Sequence, residues 1–291
     1  MQLHRKLLIL IYPLIYLKNR LKVFLYPGLK NQVRVLLYHD ISSDKYEHFA
    51  FQLTKLKKYW NFITPEEFAS LLNGQKTIKG RNLLLTFDDG FISNKLVAQK
   101  ILKPLEIKAI FFVIPNFINI SDSSIARQYV ADYIYPSLDF ENVPTDWTNM
   151  NWDDLEELIK DGHTIGAHTM SHAKLSAITE REELETEIVA SAEVLEHKLR
   201  VPIQHFAFPF GNIDSFSYQA LNLARGRFNF IHSGLRGNND PAVSNYAIRR
   251  DSVTPNDHLF LISSFLNGAA DFRYYKSASL LDSWANSDTV I

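Results

Sequence analysis

The sequence contains no cysteine among its 291 residues. Disulfide bonds, thiolate metal sites and cysteine nucleophiles are therefore excluded, although the absence of cysteine does not decide the cellular compartment. The formal net charge is only −1 at pH 7, which gives no reason to expect nucleic acid as a partner. No glycine-rich phosphate or dinucleotide loop follows any predicted strand, so the sequence does not favour a nucleotide-binding open sheet.

The N-terminal segment differs in composition from the rest of the chain. Its first 39 residues contain seven Lys or Arg and no Asp or Glu, and basic residues flank the apolar run at residues 7–17. A helix of eleven residues spans ~16 Å, about half of a bilayer core. The leucine spacing predicts an amphipathic helix in residues 1–31, which either packs on the folded domain or lies on an anionic membrane surface through residues 1–26.

The location of the protein is expected to follow from this segment. No small-residue cleavage site follows the apolar run, so we do not expect a cleaved signal peptide. We expect a cytoplasmic protein that is peripheral to the membrane. The alternative is an uncleaved signal anchor with an exported domain.

Beyond residue 32, short apolar runs alternate with amphipathic segments. This alternation predicts parallel strands joined by helices, and about seven such units favour an irregular, closed or nearly closed (β/α) barrel. The barrel would occupy residues 32–276, and residues 277–291 would form a frayed polar tail. Strands are expected at residues 33–38, 83–87, 109–114, 163–167, 205–208, 229–233 and 246–249. Helices are expected at residues 49–59, 65–73, 94–102, 151–160, 180–199, 217–225 and 259–266, with an irregular excursion over 116–149.

Several chemically active side chains follow directly after predicted strands. His39 follows the first strand, Asp88 and Asp89 follow the second, and Arg250 follows the last. The carboxyl ends of the strands of a parallel barrel share one face, where the active site lies. We therefore expect these side chains to lie close together.

The first motif is the pair of carboxylates in TFDDG, residues 86–90. Two adjacent buried carboxylates repel each other and require a cation or a proton, and a metal ion would supply the cation. Both carboxylates can face one site only where the strand gives way to a loop, which Gly90 permits. The alternative is an ordinary Asp-Gly turn with solvated carboxylates.

The second motif places two imidazoles four residues apart in HTMSH, residues 168–172. His168 and His172 would share one face if this segment makes one helical turn, and the alternative is a pair of surface histidines. One aspartate and two histidines are sufficient to hold a divalent metal ion with an open position for water. The other aspartate then remains as a candidate base, and this set of groups suits hydrolysis of an unreactive carbonyl compound.

These two motifs resemble the first two motifs of the polysaccharide deacetylases, the family that includes the nodulation-factor chitooligosaccharide deacetylases. The segment FAFPFG at residues 206–211 resembles the third motif, and the likeness covers residues 35–265. The resemblance implies an irregular (β/α) barrel. It also implies that the metal ligands are Asp89, His168 and His172, that Asp88 is the general base, and that Pro209, Phe210 and Gly211 contact the substrate.

The sequence departs from the family pattern at two positions. Ala207 stands where many members carry an arginine that orients the catalytic aspartate, and Arg249 or Arg250 could supply that charge from the last strand end; Arg250 is the candidate retained. The late Leu-x-x-His segment that supplies a general acid in many members is absent. The candidates for the acid are His39, His232 and His258, and His39 is favoured because its strand end mirrors that of Asp88.

The expected function is that of a metal-dependent hydrolase that removes N-acetyl groups from amino sugars of an oligo- or polysaccharide. Zn²⁺ is the default ion for an Asp-His-His site, with iron, cobalt or nickel as alternatives. Two other functions stay open at this point. The site could act on O-acetyl esters or other amides, or the protein could be a non-catalytic relic that binds saccharides.

Overall fold

The computed structural model describes residues 31–287, so the predicted N-terminal helical segment and the last four residues lie outside the described part of the chain. Within that part, no helix is both long enough and apolar enough to cross a membrane. The strands are β1 (Gln32–Tyr38), β2 (Asn61–Phe62), β3 (Arg81–Phe87), β4 (Ala109–Val113), β5 (Thr164–Ala167), β6 (His205–Ala207), β7 (Phe230–His232) and β8 (Asp251–Ser252).

Helices connect most of these strands. They are α1 (Tyr46–Leu56), α2 (Pro65–Leu72), α3 (Ile92–Val97), α4 (Pro115–Ile118), α5 (Ser123–Tyr129), α6 (Trp152–Lys160), α7 (Arg181–Glu185), α8 (Ser191–Leu199), α9 (Tyr218–Arg225), α10 (Leu259–Leu266) and α11 (Tyr275–Ala285). Helices α3, α5 and α7 each continue into a five-residue π-helical stretch: Ala98–Leu102, Val130–Ile134 and Thr186–Ala190. Short 3₁₀ helices occur at Ser43–Lys45, Phe140–Asn142, Leu175–Ala177, Ile213–Ser215 and Asp271–Tyr274.

The strands form one parallel sheet in the order β7-β6-β5-β4-β3-β1-β8, and β2 also pairs with β3. A short segment brings the two edges of this sheet together. Ile248 forms a parallel bridge to His232 at the end of β7, and Asp251 pairs with Leu36 of β1. The prediction of an irregular (β/α) barrel with about seven parallel strands is therefore confirmed.

Successive strand residues alternate between the interior of the barrel and the outer face of the sheet. On β3, Leu84 packs in the interior cluster of buried apolar side chains, whereas Leu83 and Leu85 pack in the larger cluster that also contains helix residues. Strands buried on both faces read as continuous apolar runs, which explains why β3 and β4 were recognisable in the sequence. Phe68 of α2 packs in the interior cluster.

Local signals determine where two of the helices begin. Helix α2 starts with a capping box between Thr64 and Glu67, and its first residue is Pro65. Helix α6 starts with a capping box between Asn151 and Asp154. The first of these helices positions Phe68 under the barrel, and the second packs its buried residues against the outer cluster.

Three features of the fold differ from the expectations. The last strand pairs with β1 at Asp251–Ser252, because only Ile248 of the predicted stretch at 246–249 forms a bridge. The excursion at residues 116–149 is not irregular, since it contains α5 and a π-helical turn that bury their own apolar cluster with Phe117. Strand β2 was missed because two residues carry no periodicity.

The fourth difference concerns the expected polar tail. Helix α11 crosses the predicted boundary at residues 276 and 277 and extends through most of the tail. It buries Ala278, Leu281 and Ala285, three small or apolar residues at helical spacing. The polar residues between them hid this stripe in the sequence.

Candidate active site

The two aspartates lie at the carboxyl end of β3. Asp88 follows Leu84 and Thr86 at the alternating spacing that points into the barrel. Asp89 and Gly90 then adopt positive φ angles of 77° and 92°, so the chain turns sharply. As a result both carboxylates face the same imidazole, with His168 Nε2 at 3.5 Å from Asp89 Oδ1 and at 3.9 Å from Asp88 Oδ2.

The two histidines follow β5, but the predicted helical turn between them is wrong. The segment has no helical hydrogen bonding, and Thr169 and His172 have positive φ angles of 60° and 68°. The His172 N–H donates to Thr169 Oγ1 at 2.9 Å, which closes an irregular turn. The imidazoles of His168 and His172 still converge, with ring centroids 5.2 Å apart.

Backbone carbonyls determine which nitrogen each imidazole presents to the site. His168 Nδ1 lies 2.7 Å from the carbonyl oxygen of Ala207, and His172 Nδ1 lies 2.8 Å from that of Tyr133. A carbonyl oxygen only accepts hydrogen bonds, so each Nδ1 carries the proton and donates it. In the neutral imidazole, each Nε2 therefore directs a lone pair towards the site, as a metal-ligating histidine does.

The three predicted metal ligands are brought together by the fold. Asp89 Oδ1 lies 3.5 Å from Nε2 of both His168 and His172, and one ligand atom from each residue lies within 4.8 Å of the others. Ligands around a tetrahedral zinc ion at about 2.1 Å would be about 3.4 Å apart. Within residues 31–287, this is the one group of three such side chains that could hold an ion.

The carboxylate of Asp89 lies near the two imidazoles but makes no hydrogen bond to them. Asp89 is 1% exposed, and neither of its side-chain oxygens makes a hydrogen bond to a described residue. A buried carboxylate without partners is costly in free energy unless a cation or donor satisfies it. The residues present therefore fit a divalent cation.

The protonation states also suit a metal site. Burial alone would raise the pKa of Asp89, but its interactions with His168, His39 and His172 outweigh that effect and lower this pKa to about 2. Burial lowers the pKa of His172 to about 4, against the opposing effect of the Asp89 charge. At neutral pH the carboxylate is thus ionised and the imidazole of His172 is neutral, which are the forms that coordinate metals.

Arg250 holds the second aspartate. Its two terminal nitrogens donate to the two oxygens of Asp88 at 2.7 and 2.9 Å, and its Nε donates to the carbonyl of Ser233 at 2.8 Å. Asp88 and Arg250 are both almost fully buried. Arg249, the other candidate, instead pairs with Asp282 of α11. The charge missing at Ala207 is thus supplied at Asp88 by Arg250.

A cavity of about 650 Å³ opens above these groups. Phe210 and Gly211 of the third motif line it, whereas Pro209 is buried and does not. The ring of Phe210 is 44% exposed and meets the edge of His172 with centroids 4.7 Å apart. The cavity contains all three predicted metal ligands and Asp88.

The third motif is held by an unusually close backbone approach. Gly211 has a φ of 67°, and a Cβ atom there would lie 2.6 Å from the backbone nitrogen of Gly234. That nitrogen donates to the Gly211 carbonyl at 2.8 Å. A side chain at Gly211 would therefore displace the loop that places Phe210 beside His172.

The three candidates for the general acid lie in different places. His39 lines the cavity with the metal ligands. His232 is fully buried in the barrel interior, where its Nε2 is 3.1 Å from Nδ1 of His205. His258 is exposed and accepts a hydrogen bond from the Phe260 N–H at the start of α10. The fold brings only His39 of these three to the site.

Sequence reasoning missed the groups that hold the histidine loop. Glu187 accepts hydrogen bonds from both the N–H and the hydroxyl of Ser171, at 3.0 and 2.7 Å. The Tyr129 hydroxyl donates to the Ser171 carbonyl, and the Tyr133 carbonyl contacts His172. Glu187 had one signal, because it occupies the apolar stripe that includes Leu184. The backbone carbonyl had none.

The sequence and the fold can now be compared with those of known proteins. A profile of the family named Polysaccharide deacetylase matches residues 75–226, which is more than half of the chain. The chain therefore belongs to the polysaccharide deacetylase family. It is also similar to YxkH of Bacillus subtilis (strain 168), whose name assigns it to the polysaccharide deacetylases. The two share 22% identity over 227 residues, which cover 76% of this chain and 71% of YxkH.

Solved structures share the fold. IcaB from Ammonifex degensii has a TM-score of 0.62 and 23% identity, and the match covers 83% of this chain and 97% of IcaB. The Streptococcus pyogenes deacetylase PplD, solved in complex with acetate, has a TM-score of 0.62 and 20% identity over 81% of this chain and 98% of PplD. The predicted family and the predicted class of enzyme, a hydrolase of the deacetylase type, are confirmed.

Proposed function

We propose that this protein is a metal-dependent hydrolase that removes N-acetyl groups from amino sugars of an oligo- or polysaccharide. One observation carries the proposal. Asp89 is buried beside two imidazole Nε2 atoms with no hydrogen-bond partner in the described part of the chain, and a second carboxylate, Asp88, lies next to it in the same cavity. Buried charged groups that only stabilise a fold are normally hydrogen-bonded, whereas the oxygens of Asp89 are not.

The proposed metal ligands are Asp89, His168 and His172. Two imidazoles and one carboxylate suit Zn²⁺, and iron, cobalt or nickel would accept the same donors. An ion bound there would supply Lewis-acid chemistry, which activates a water molecule and polarises the acetyl carbonyl. The carbonyls of Ala207 and Tyr133 orient the two imidazoles for this task.

Asp88 is proposed to act as the general base. Its carboxylate lies next to the metal ligands, with one oxygen 3.9 Å from His168 Nε2, so it can take a proton from a water that attacks the acetyl carbon. The bidentate contact with Arg250 fixes the orientation of the carboxylate. Arg250 is therefore proposed as a positioning residue, which acts through Asp88.

The Phe210 backbone N–H is proposed to stabilise the negative charge on the acetyl oxygen in the transition state. Phe210 lines the cavity with a φ of 60°, and its N–H donates no hydrogen bond to any described residue. A fixed donor with no competing partner is suited to this role.

His39 is proposed to protonate the departing amine. An amine is a poor leaving group without a proton, so an acid is required. His39 follows β1, the neighbour of β3 in the sheet, and it lines the cavity that contains Asp88. His39 is preferred because the other two candidates, His232 and His258, do not line this cavity.

We also propose that residues 1–26 associate with an anionic membrane surface. The support is compositional, because these residues combine an apolar run with basic side chains and contain no acid. A peripheral protein of this kind should leave membranes when the ionic strength is raised. Recovery of all the protein in the soluble fraction at low salt would contradict the proposal, and resistance to a high-salt wash would indicate an inserted anchor.

Acetate release tests the main proposal. The full chain, loaded in turn with Zn²⁺, Fe²⁺, Co²⁺ and Ni²⁺, is assayed on N-acetylated oligosaccharides and on matched sugars that carry O-acetyl groups. We expect release from the acetamido sugars, loss of activity with a chelator and recovery with added metal. Preference for acetoxy sugars would indicate an esterase, and saccharide binding without any release would indicate a relic.

A further inference from the structure

The charges that line the cavity are not all paired. Three arginines line it, namely Arg236, Arg250 and Arg273. Arg250 is neutralised by Asp88, as described above. Arg236 lies 3.4 Å from Asp251, donates to the carbonyl of Ser252, and stacks over the ring of Phe265. Two of the three guanidinium groups are therefore committed to the protein.

Arg273 differs from the other two. Its side chain is exposed and makes no hydrogen bond or ion pair with any residue in 31–287. The backbone that carries it is nevertheless anchored, because its N–H donates to the Ala270 carbonyl and Asp271, two residues earlier, accepts two hydrogen bonds from buried Arg34. The guanidinium is thus a cation at the cavity wall that has no counter-charge within residues 31–287, and the backbone that carries it is anchored.

A second cavity of about 510 Å³ continues from the first. The two cavities share five lining residues: Pro136, Phe210, Asn212, Arg273 and Tyr274. The outer cavity also includes Lys174, which makes no ion pair with a described residue, and one exposed carboxylate, Asp214. Arg273 therefore lies at the junction of a groove that leads outward from the metal ligands and keeps an excess of positive charge.

We propose that this groove binds an anionic group on the saccharide residue next to the one that is deacetylated. Arg273 would contact the anion directly, since a guanidinium pairs with carboxylate or phosphate oxygens through two parallel hydrogen bonds. Lys174 would add longer-range attraction, and the exposed ring of Phe210 would support a sugar ring between the two positions. The substrate class is therefore an acidic saccharide, and this inference rests on the proposed function.

Matched substrates test the inference. They are β-1,4-linked N-acetylglucosamine oligomers of one length, either neutral, or oxidised to a carboxylate at C6 of one residue, or phosphorylated at that position. We expect the metal-loaded wild type to prefer one or both charged oligomers, which separates uronate from phosphate as the source of the anion. Arg273→Gln should lower kcat/KM for the preferred oligomer by about tenfold and for the neutral one by less than about twofold.

Two control variants separate a direct contact from a general charge effect. Lys276→Gln removes the same charge from an exposed position that lines neither cavity, and it should change no substrate by more than about twofold. Arg273→Lys should restore part of the loss. Equal losses on charged and neutral oligomers in Arg273→Gln, or a wild-type preference for the neutral oligomer, would overturn the inference.

Binding measurements keep the test independent of turnover. The dissociation constants of the three oligomers are measured on Asp88→Asn and on Asp88→Asn combined with Arg273→Gln. Tighter binding of a charged oligomer that is lost when Arg273 is replaced supports the subsite. This holds even if the wild type releases no acetate, because that result would contradict only the proposed function. Equal binding of all three oligomers to both proteins rejects the subsite.

Discussion

Asp251, the first residue of β8, and Arg250 before it belong to two charge clusters that are satisfied in opposite ways. Outside the barrel, Asp251 accepts two hydrogen bonds from Arg34 at 2.8 Å, and Asp271 accepts two more at 2.8 and 3.1 Å. Inside the barrel, the preceding residue Arg250 pairs with Asp88, while both oxygens of Asp89 have no partner among the described residues.

The charges of the outer cluster stabilise the fold, whereas those of the inner cluster leave one carboxylate available to a ligand. In the outer cluster, two arginines and two aspartates form ion pairs with one another. These charges therefore contribute to the fold and offer little to a ligand. The inner cluster is open at one carboxylate, and that opening faces a cavity. Buried polar groups are normally paired, and Asp89 is the one carboxylate within residues 31–287 that has both buried oxygens unpaired.

The largest effect is expected from variants of the inner cluster. His168→Ala should remove bound metal and lower activity by at least about 10⁴-fold, because one of three ligands is lost. Asp88→Asn should lower kcat by about 10³-fold while metal content stays near that of the wild type. Metal analysis of each purified variant, beside acetate release, measures both quantities.

Metal analysis of the two variants also tests whether His168 is a metal ligand and Asp88 a base. Full metal content in His168→Ala would remove this imidazole from the ligand set. Loss of metal in Asp88→Asn would make Asp88 a ligand and not a base.

Breaking the outer cluster should affect stability more than metal binding. Asp251→Asn leaves Arg34 and Arg236 with less than their full counter-charge in a buried place, which should lower the free energy of unfolding by about 3–5 kcal/mol. Urea unfolding measures the loss. The exposed Asp214→Asn is the control and should change stability by less than about 0.5 kcal/mol.

A smaller effect is expected at the residue that links the clusters. Arg250→Lys keeps the charge but loses the bidentate contact with Asp88, so kcat should fall by about 10- to 100-fold with metal content unchanged. KM should stay within about twofold of the wild-type value, because the lysine orients the Asp88 carboxylate less well without removing a contact to the substrate. A protein that is less stable but keeps its kcat would assign Arg250 to the fold alone.

The smallest effect of any single residue is expected at three buried imidazoles outside the inner cluster. Burial lowers the pKa of His205 to about 3 and that of His163 to about 4, and it lowers the pKa of His232 as well. The native state keeps these rings neutral, whereas the unfolded chain takes up protons below about pH 6.5. Stability should therefore fall as pH falls from about 6.5 towards 3, by up to about 1.4 kcal/mol per pH unit for each ring.

Unfolding free energies measured between pH 5 and 7 check this slope. His205→Gln, whose amide can still bond to His232, should remove about one proton from it. The exposed His197→Gln should leave the slope unchanged. A slope that is the same in all three proteins would show that the buried rings do not control it.

The residues that were predictable lie in short motifs at strand ends. Local spacing and the convergence of parallel strand ends predicted that Asp88, Asp89, His168 and His172 lie together, and the resemblance to the polysaccharide deacetylases implied their separate roles. Arg250 was reachable by the same argument, although the register that decides between it and Arg249 is visible only in the structure.

The groups that were missed depend on distant pairing. The carbonyl oxygens of Ala207 and Tyr133 orient the imidazoles, and a carbonyl has no signature in a sequence. The pairing of Arg34 with Asp251 and Asp271 joins positions more than 200 residues apart. Such contacts follow from sheet register and helix docking, which local patterns do not specify.

The short stretch from Ile248 to Asp251 has a further consequence. It fastens one sheet edge to the other, and Arg250 sits between its two attachment points. Local unfolding of this segment would separate the Arg250 guanidinium from Asp88 before the rest of the molecule unfolds. On heating, activity should thus be lost at a lower temperature than the one at which the circular dichroism signal changes.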